Sequence, residues 1–575
     1  MLNNFFHKTI NFLKDYFVTI FLLIIFIATN YSIFHSSFFH VHDFTHAARI
    51  AEMARALDQG QFPVRWSENF GYGFGMPLFN FYAPLPYFIG AIFFKMGFDV
   101  VASIKILYLL ISLVTLLGSY SLGRKLLGRW GGLLLATAYT LAPYRALNLF
   151  VRGAVSEAFA MAFLPLVIFA IVAFIKKQDK KYLLLLIVSI FSIILSHNLT
   201  ALIFIPMAAL FTFIYLLQQK KIKLIWPIAG SFLLSAALSF FYILPAFMEK
   251  DLTMINSIFS GYFHYSHHFL YIRQFFQDNW QYGGSAWGPN DDISFFLGKG
   301  QLLGLMSLII LICLNLFRNF KKIIKSNLFF LSIVFGFLAL LSLVMSLMKS
   351  QILWDNFSIL QYIQFPWRFL SAASFFVATL LAISIYFTRI GLYRSLYGTL
   401  ILFLLLFNAV YFKPEKYLDD ENALYYTDAA KIQNQMSETL PDYIPKQMAK
   451  QEVLLQINQK FPSIWTDSGS KNNLVEMTTD HGFEKLANAD FREADVLNFK
   501  VANFAGWEAQ VNGEKYPIDQ NNSLGNIRIS LPVGEHKVGI YFSENTVSRR
   551  VGDAISILAL VIVFYFFYPF AKKKN

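Results

Sequence analysis

A polytopic α-helical membrane protein with one water-facing domain near its C-terminus is the fold class the sequence predicts, and three observations predict it. Of 575 residues, 56% are hydrophobic and only 14% charged, against about 45–50% and about 25% in soluble chains. The apolar residues gather in runs such as 17–34, 182–196, 224–247 and 554–570, near the roughly 20 residues a helix needs to cross a bilayer core. From Pro414 these runs stop, and they resume only in the last helix. A soluble enzyme, a disordered scaffold and a fibrous repeat are excluded. The single cysteine, Cys313, excludes an intrachain disulfide, a paired redox motif and a Cys-based zinc site.

The net charge of +13 suggests nucleic acid until it is divided by segment. Residues 413–550 hold 15 Lys and Arg against 20 Asp and Glu, so the excess belongs to the membrane part. It sits in short clusters: Lys8/Lys14, Arg124/Lys125/Arg129, Lys176/Lys177/Lys180/Lys181, Lys220/Lys221/Lys223, Arg318/Lys321/Lys322/Lys325, Arg389/Arg394 and Lys572–Lys574. If basic loops are cytoplasmic, each consecutive pair of clusters is separated by an even number of crossings. Two per gap predicts about 12 transmembrane helices, near 17–34, 102–122, 130–144, 156–175, 182–196, 199–217, 224–247, 300–317, 327–348, 368–388, 395–412 and 554–570. The chain then reads as a transmembrane module at 1–412 with outer loops 35–101 and 248–299, an extracytoplasmic domain at 413–550, and a final helix with a basic cytoplasmic tail at 551–575. Both termini are expected in the cytoplasm of a multi-pass cell-membrane protein, with the first helix retained. The stretch 79–94, with Pro84 and Pro86, is expected to be re-entrant or interfacial, because a crossing there would turn the later basic loops outward.

No ionisable residue lies near the middle of an expected span, which argues against an ion-coupled transporter. Such residues collect at the outer helix ends instead. In the first outer loop Asp43, His46, Arg49 and, less closely, Glu52 recur at helical spacing; this places carboxylate, imidazole and guanidinium within mutual reach, or makes a solvated, ion-paired face. His42 precedes Asp43. Arg145 and Arg152 flank a short loop, Glu157 follows Arg152 by five residues, and Arg368 opens a helix beside Gln364, Pro366 and Trp367. Arg suits phosphate because its planar fork matches the anion, and snorkelling at a helix end is the alternative for each. The helix before His197 is short, so His197 is expected below headgroup level, lining a cavity or closing a hairpin. The run Gly71, Gly73, Gly75 with Tyr72 and Phe74 lacks the strand and crossover helix of a dinucleotide site, and reads as an aromatic loop closing over a sugar or lipid.

The C-terminal domain alternates like strands from 497, with Asn512-Gly513 as a hairpin turn. A small antiparallel β-sandwich is expected over 495–545, after a mixed α/β or loosely ordered part at 413–494. Trp507 is either a sugar platform or core.

An Asp just after the first membrane helix, in an outer loop with a following Arg, resembles the GT-C superfamily of integral membrane glycosyltransferases that use polyprenyl-phosphate-linked sugars. The strings LAPYRALNLFVRGAVSEAFA (141–160), LSHNLTA (195–201) and QFPWRFL (364–370) resemble the 6-pyruvoyl-tetrahydropterin synthase-related membrane proteins, close to the YfhO-like family, over a stretch expected to run from His42 to the last helix. The string FAGWEAQVNGEKYPI resembles the C-terminal module of that family. The resemblance implies a GT-C-like fold and a catalytic or metal-ligating role for Asp43. His42, His46, Arg49, Arg145, Arg152, Glu157, His197, Gln364, Trp367 and Arg368 are the candidate substrate-binding residues. No cofactor is identified; a divalent metal (Mg or Mn) on Asp43 is what the superfamily suggests, but its frequent second acid is missing here. The pterin synthase chemistry itself needs a zinc-binding His cluster, for which only His264, His267 and His268 are candidates; an interfacial aromatic segment is the competing reading.

The function expected is extracytoplasmic transfer of a sugar from a polyprenyl-phosphate-linked donor to a cell-envelope polymer or glycolipid. The alternative is a non-enzymatic lipid-linked saccharide translocase or envelope-assembly partner. The partners expected are the lipid bilayer, the lipid-linked sugar and its acceptor, with no nucleic acid.

Overall fold

The computed structural model describes residues 2–387, 393–418, 423–439, 441–448, 461–519 and 522–568. The expected basic cluster Lys572–Lys574 and Arg389 lie outside these residues.

Among the described residues seven helices are long and apolar enough to cross a bilayer: Tyr16–Phe34, Val100–Thr140, Val155–Lys177, Asn198–Gln218, Asn327–Ser346, Pro366–Phe387 and Val547–Phe567. The pair Ile222–Leu238 and Phe240–Met248, bent by 64° at Ser239, makes an eighth if it is one span. The chain is thus a polytopic helical membrane protein, but length and composition single out seven or eight crossings rather than twelve. Two causes account for much of the difference. Lys181–Ser196 is apolar but only 16 residues long. Val100–Thr140 carries two expected spans in one run, broken at Gly128, where φ is 81° and ψ −171°. A Cβ on Gly123 would stand 2.6 Å from the Gly131 carbonyl oxygen, so the limbs fold back on each other along glycines. Only a residue without Cβ allows that approach.

The stretch 79–94 forms two pieces, Leu78–Phe81 and Leu85–Lys95, parted at Pro84. Eleven residues rise about 16 Å, half of a bilayer core of about 30 Å. This short helix packs on the helix His46–Asp58, where Gly90 receives the Ile50 side chain.

Among the described residues ten strands complete the fold. β1 (Phe38–Phe39) pairs antiparallel with β2 (Tyr417–Leu418), Phe38 facing Leu418, and so ties the first loop to the chain after the helix Tyr393–Asn408. The C-terminal domain has a three-stranded sheet, β3 (Ile464–Thr466), β6 (Asp495–Ala502) and β9 (Asn526–Leu531), in the order β3-β6-β9. A five-stranded sheet runs β4-β5-β10-β7-β8, from β4 (Leu474–Asp480), β5 (Glu484–Phe491), β7 (Trp507–Val511), β8 (Glu514–Tyr516) and β10 (Gly534–Phe542). Ile527, Ile529 and Leu531 alternate inward, the period of two that makes a strand half-buried. The sheets begin at 464, well before the expected 495. Asn512 and Gly513 have positive φ and join β7 to β8, as a type I′ turn requires. The link at Pro532-Val533 joins strands of different sheets. Trp507 is buried against Trp66 and Phe542, which makes it core.

Candidate active site

The turn before the helix His46–Asp58 is held against the loop after Val151. The His42 amide donates to the Val151 carbonyl (3.1 Å) and the Asp43 amide to that of Arg152 (2.8 Å). Gly153 permits this approach, since a Cβ there would fall 2.6 Å from Val41. A π-helical turn, Leu147–Val151, precedes it; such turns are frequent at functional sites.

The Asp43 side chain remains 42% exposed, while His46 beside it is 1% exposed, the two separated by 3.8 Å. His46 Nδ1 meets the Tyr87 hydroxyl at 2.6 Å and Arg49 at 3.2 Å. A guanidinium only donates, so Nδ1 accepts and the imidazole proton sits on Nε2, toward Asp43. Burial and the Arg49 charge hold the His46 pKa down to about 4, so the ring is neutral at pH 7. Burial works to raise the Asp43 pKa, but the His46 contact and the Arg49 and Arg152 charges outweigh it and leave the carboxyl well below its usual range. Arg49 also lies 4.5 Å over the Tyr82 ring.

A second group adjoins through Arg152. The Glu157 carboxylate accepts from Arg152 (2.8 Å), Tyr144 (2.7 Å) and the Asn148 amide (3.2 Å), with Arg368 Nε at 3.8 Å. Arg152 stacks 4.5 Å over Trp367, whose indole N–H donates to Ser285. Arg368 donates to the Ile363 carbonyl (2.7 Å) and to Gln364 (3.3 Å); Gln364 has φ +61°. His197 caps the helix Asn198–Gln218 by accepting from the Thr200 amide. Burial lowers its pKa to about 3, and Glu157, Arg368 and Arg152 all act on it, so it belongs to the same neighbourhood.

The structure therefore brings together Asp43, His46, Arg49, Arg152, Glu157, His197, Gln364, Trp367 and Arg368. Arg145 and His42 are the exceptions: Arg145, buried, donates to the Thr140 carbonyl and lies over Tyr139. His42 turns aside to the Tyr282 carbonyl (2.9 Å). The solvated-face reading fails, because His46, Arg49 and Glu52 are all buried. Glu52 serves a separate cluster, accepting from Ser67 and Asn69. The loop at Gly71–Gly75 does not close over a ligand either. Tyr72 and Phe74 are each 1% exposed, and the Phe74 carbonyl accepts from the Ala502 amide of the β domain. Tyr82, Tyr87, Tyr144 and Asn148 complete the cluster without having been singled out; tyrosines in an aromatic-rich membrane chain carry no distinguishing pattern.

The donor set does not fit a divalent cation. Asp43 is ringed by guanidinium and imidazole groups, and among the described residues no three His, Cys, Asp or Glu side chains could share a metal. His264 and His268 are engaged by Ser266, Ser285 and the Tyr262 carbonyl.

Residues 79–411 match the family described as 6-pyruvoyl-tetrahydropterin synthase related domain, membrane protein. The chain belongs to this family. The match to the 6-pyruvoyl-tetrahydropterin synthase-related family takes in Arg152, Glu157, His197 and Arg368 but begins after Asp43, so the expected reach from His42 to the last helix is shown only in part. A curated Lactococcus lactis protein, described as uncharacterized, is 27% identical over 324 residues, 54% of this chain and 51% of that protein. This member of the family thus spans about half the length of that relative. Among solved structures, it is similar to the Archaeoglobus fulgidus oligosaccharyltransferase in the apo form, with 14% identity, TM-score 0.40, 76% of this chain and 57% of that one. It is also similar to ArnT from Cupriavidus metallidurans bound to undecaprenyl phosphate, with 12% identity, TM-score 0.33, 74% of this chain and 78% of that one.

Proposed function

We propose that the protein transfers a sugar from a polyprenyl-phosphate-linked donor to a cell-envelope acceptor on the outer side of the cell membrane. In this reading both termini are cytoplasmic and the β domain is outside. One observation carries it: three guanidinium groups, of Arg49, Arg152 and Arg368, meet only two carboxylates, Asp43 and Glu157, with the neighbouring His46 uncharged. The cluster holds one positive charge in excess, and Arg49 Nε and Arg368 Nε are buried N–H groups without a hydrogen-bond partner. Buried donors are rarely left so. A phosphate satisfies both deficits.

In the reaction the acceptor oxygen bonds to the sugar's anomeric carbon as the carbon–oxygen bond to phosphate breaks. The leaving phosphate gains negative charge, which Arg368 and Arg152 stabilise in place. Asp43, kept ionised, accepts the acceptor hydroxyl's hydrogen bond and takes its proton as the new bond makes that oxygen acidic. The neutral His46 N–H steadies the carboxylate.

The test supplies membranes with labelled polyprenyl-phosphate sugar. Asp43→Asn is expected to lower transfer by about 10²–10⁴, the usual worth of a positioned proton acceptor. Arg368→Ala is expected to raise the donor concentration needed by about 10–100-fold, as loss of a charged hydrogen bond of about 1.5–3 kcal/mol implies. Undiminished transfer by Asp43→Asn at normal expression removes Asp43 from the mechanism.

A further inference from the structure

We propose that the loop between the helices Phe240–Met248 and Lys299–Ile324 forms a second binding site, a cleft that takes a neutral, hydroxyl-rich saccharide as acceptor. The acceptor role rests on the transferase reading above; the cleft's chemistry does not. The cleft has a volume of about 610 Å³ between the strips 273–281 and 289–295, within the roughly 300–1,000 Å³ of ligand sites. Its shape is held from both sides. Tyr282 and Ile293 form an antiparallel bridge, the Gly283 amide donates to the Asp292 carbonyl (2.7 Å), and the Asp292 amide to that of Gly284 (3.1 Å). Asp291, buried, accepts from the Gln274 amide and from the Ala286 backbone N–H.

Its chemistry points to sugar hydroxyls rather than to an anion. Gln277, Asn279, Gln281 and Asn290 present carboxamides on the walls, each with donors and an acceptor in one plane; Gln281 donates to Asn279 and Arg273 to Asn290, and the remaining N–H groups and carbonyl lone pairs give the pairing that neighbouring hydroxyls need. Among the described residues of the walls Arg273 is the one cation, against Asp278, which Lys299 pairs at 2.6 Å, and Asp291 and Asp292. That balance opposes a phosphate, so the donor's lipid phosphate belongs with the arginine cluster. The cleft also shares structure with the active site. His42, next to Asp43, meets the carbonyl of Tyr282, which follows Gln281. Phe295 on the cleft wall packs tilted against Trp367, ring centroids 5.4 Å apart, and Trp367 lies under Arg152. These contacts join the edge of the cleft to the turn that carries Asp43 and to the Arg152 group.

The test applies the full-length protein, in detergent, to an array of neutral oligosaccharides printed beside glycerol-phosphate oligomers. Wild type and Asp43→Asn are expected to retain one or more neutral glycans. A Gln277→Ala/Asn290→Ala variant, altered only at exposed side chains, is expected to weaken that retention at least tenfold with an unchanged unfolding temperature. The cleft proposal is overturned if no neutral glycan is retained, if the double variant binds equally well, or if glycerol phosphate is preferred. If Asp43→Asn transfers sugar normally while the double variant loses glycan, the transferase reading fails and the cleft stands. If transfer needs Asp43 but the double variant changes nothing, the reverse holds.

Discussion

Glu157 holds two guanidinium groups with one carboxylate that is 2% exposed. Glu157→Gln keeps the shape but leaves Arg152 and Arg368 as buried, mutually repelling charges. Removing one partner of a buried pair costs about 3–5 kcal/mol, so a lower unfolding midpoint in detergent is expected, along with weaker donor binding. His46 gives a pH signature. Its folded pKa, lowered to about 4 by burial and Arg49, lies below the ordinary value near 6.5. The unfolded chain therefore takes the proton first, and stability falls as pH drops from 6.5 to 4, by on the order of 3 kcal/mol. His46→Phe is expected to flatten thermal stability across that window. Asp43, also depressed, contributes stability above its unfolded value of 3.8 that is lost only in stronger acid, below the His46 window. The spacing of Asp43, His46 and Arg49 was legible in the sequence because one turn of chain brings them together. That His46 is uncharged was not, since this depends on what buries it.

At the scale of elements, the glycine loop shows what local pattern misses. Gly75 has φ +74°, and a Cβ there would stand 2.4 Å from the Trp66 indole nitrogen. Trp66 in turn packs edge-on to Trp507 at 5.3 Å. Gly75→Ala meets a left-handed penalty of roughly 1–2 kcal/mol and displaces Trp66. A loss of at least about 2 kcal/mol is expected, with a red shift of tryptophan emission as the Trp66–Trp507 contact opens. Alternating Gly and aromatics look alike whether the loop covers a ligand or a neighbouring domain; the contact with Ala502, more than 400 residues on, decides it. The β domain was half legible for a similar reason. Strands with clean alternation, such as Asn526–Leu531, could be read directly. β4, with burial confined to intermediate and exposed positions, lacks the buried stripe that announces a strand.

Across the whole molecule, the last helix, the β domain and the membrane module meet in one buried polar junction. Arg549, fully buried, donates to Glu249 (2.9 Å) and to the Ala505 and Ser543 carbonyls. Glu249 also accepts from Asn80, Thr546 and Ser548, and Arg65 reaches Glu544 and Asp553. Arg549→Met leaves Glu249 without a buried cation and frees two carbonyls of the β domain. The expected result is faster hydrogen exchange at 503–508 and 542–546, with transfer reduced although Asp43 and Arg368 are untouched. Unchanged exchange would show that apolar contact at Trp66 and Trp507 alone seats the domain.

Composition, the length of apolar runs and the distribution of charge determined by themselves that this is a polytopic helical membrane protein with a β-rich segment before its last helix, because hydrophobic periodicity and bilayer thickness act locally along the chain. They also narrowed the chemistry to ionisable residues at helix ends. Only the tertiary structure decided which of those residues converge. Arg145 and Arg152 are seven residues apart and alike in sequence, yet one is spent on the Thr140 carbonyl and the other joins Glu157. What joins the Arg152–Glu157 pair to Asp43 is the approach at Gly153, a contact between segments over 100 residues apart that no local pattern records. Packing, not spacing, sets which charges share a site and which titrate.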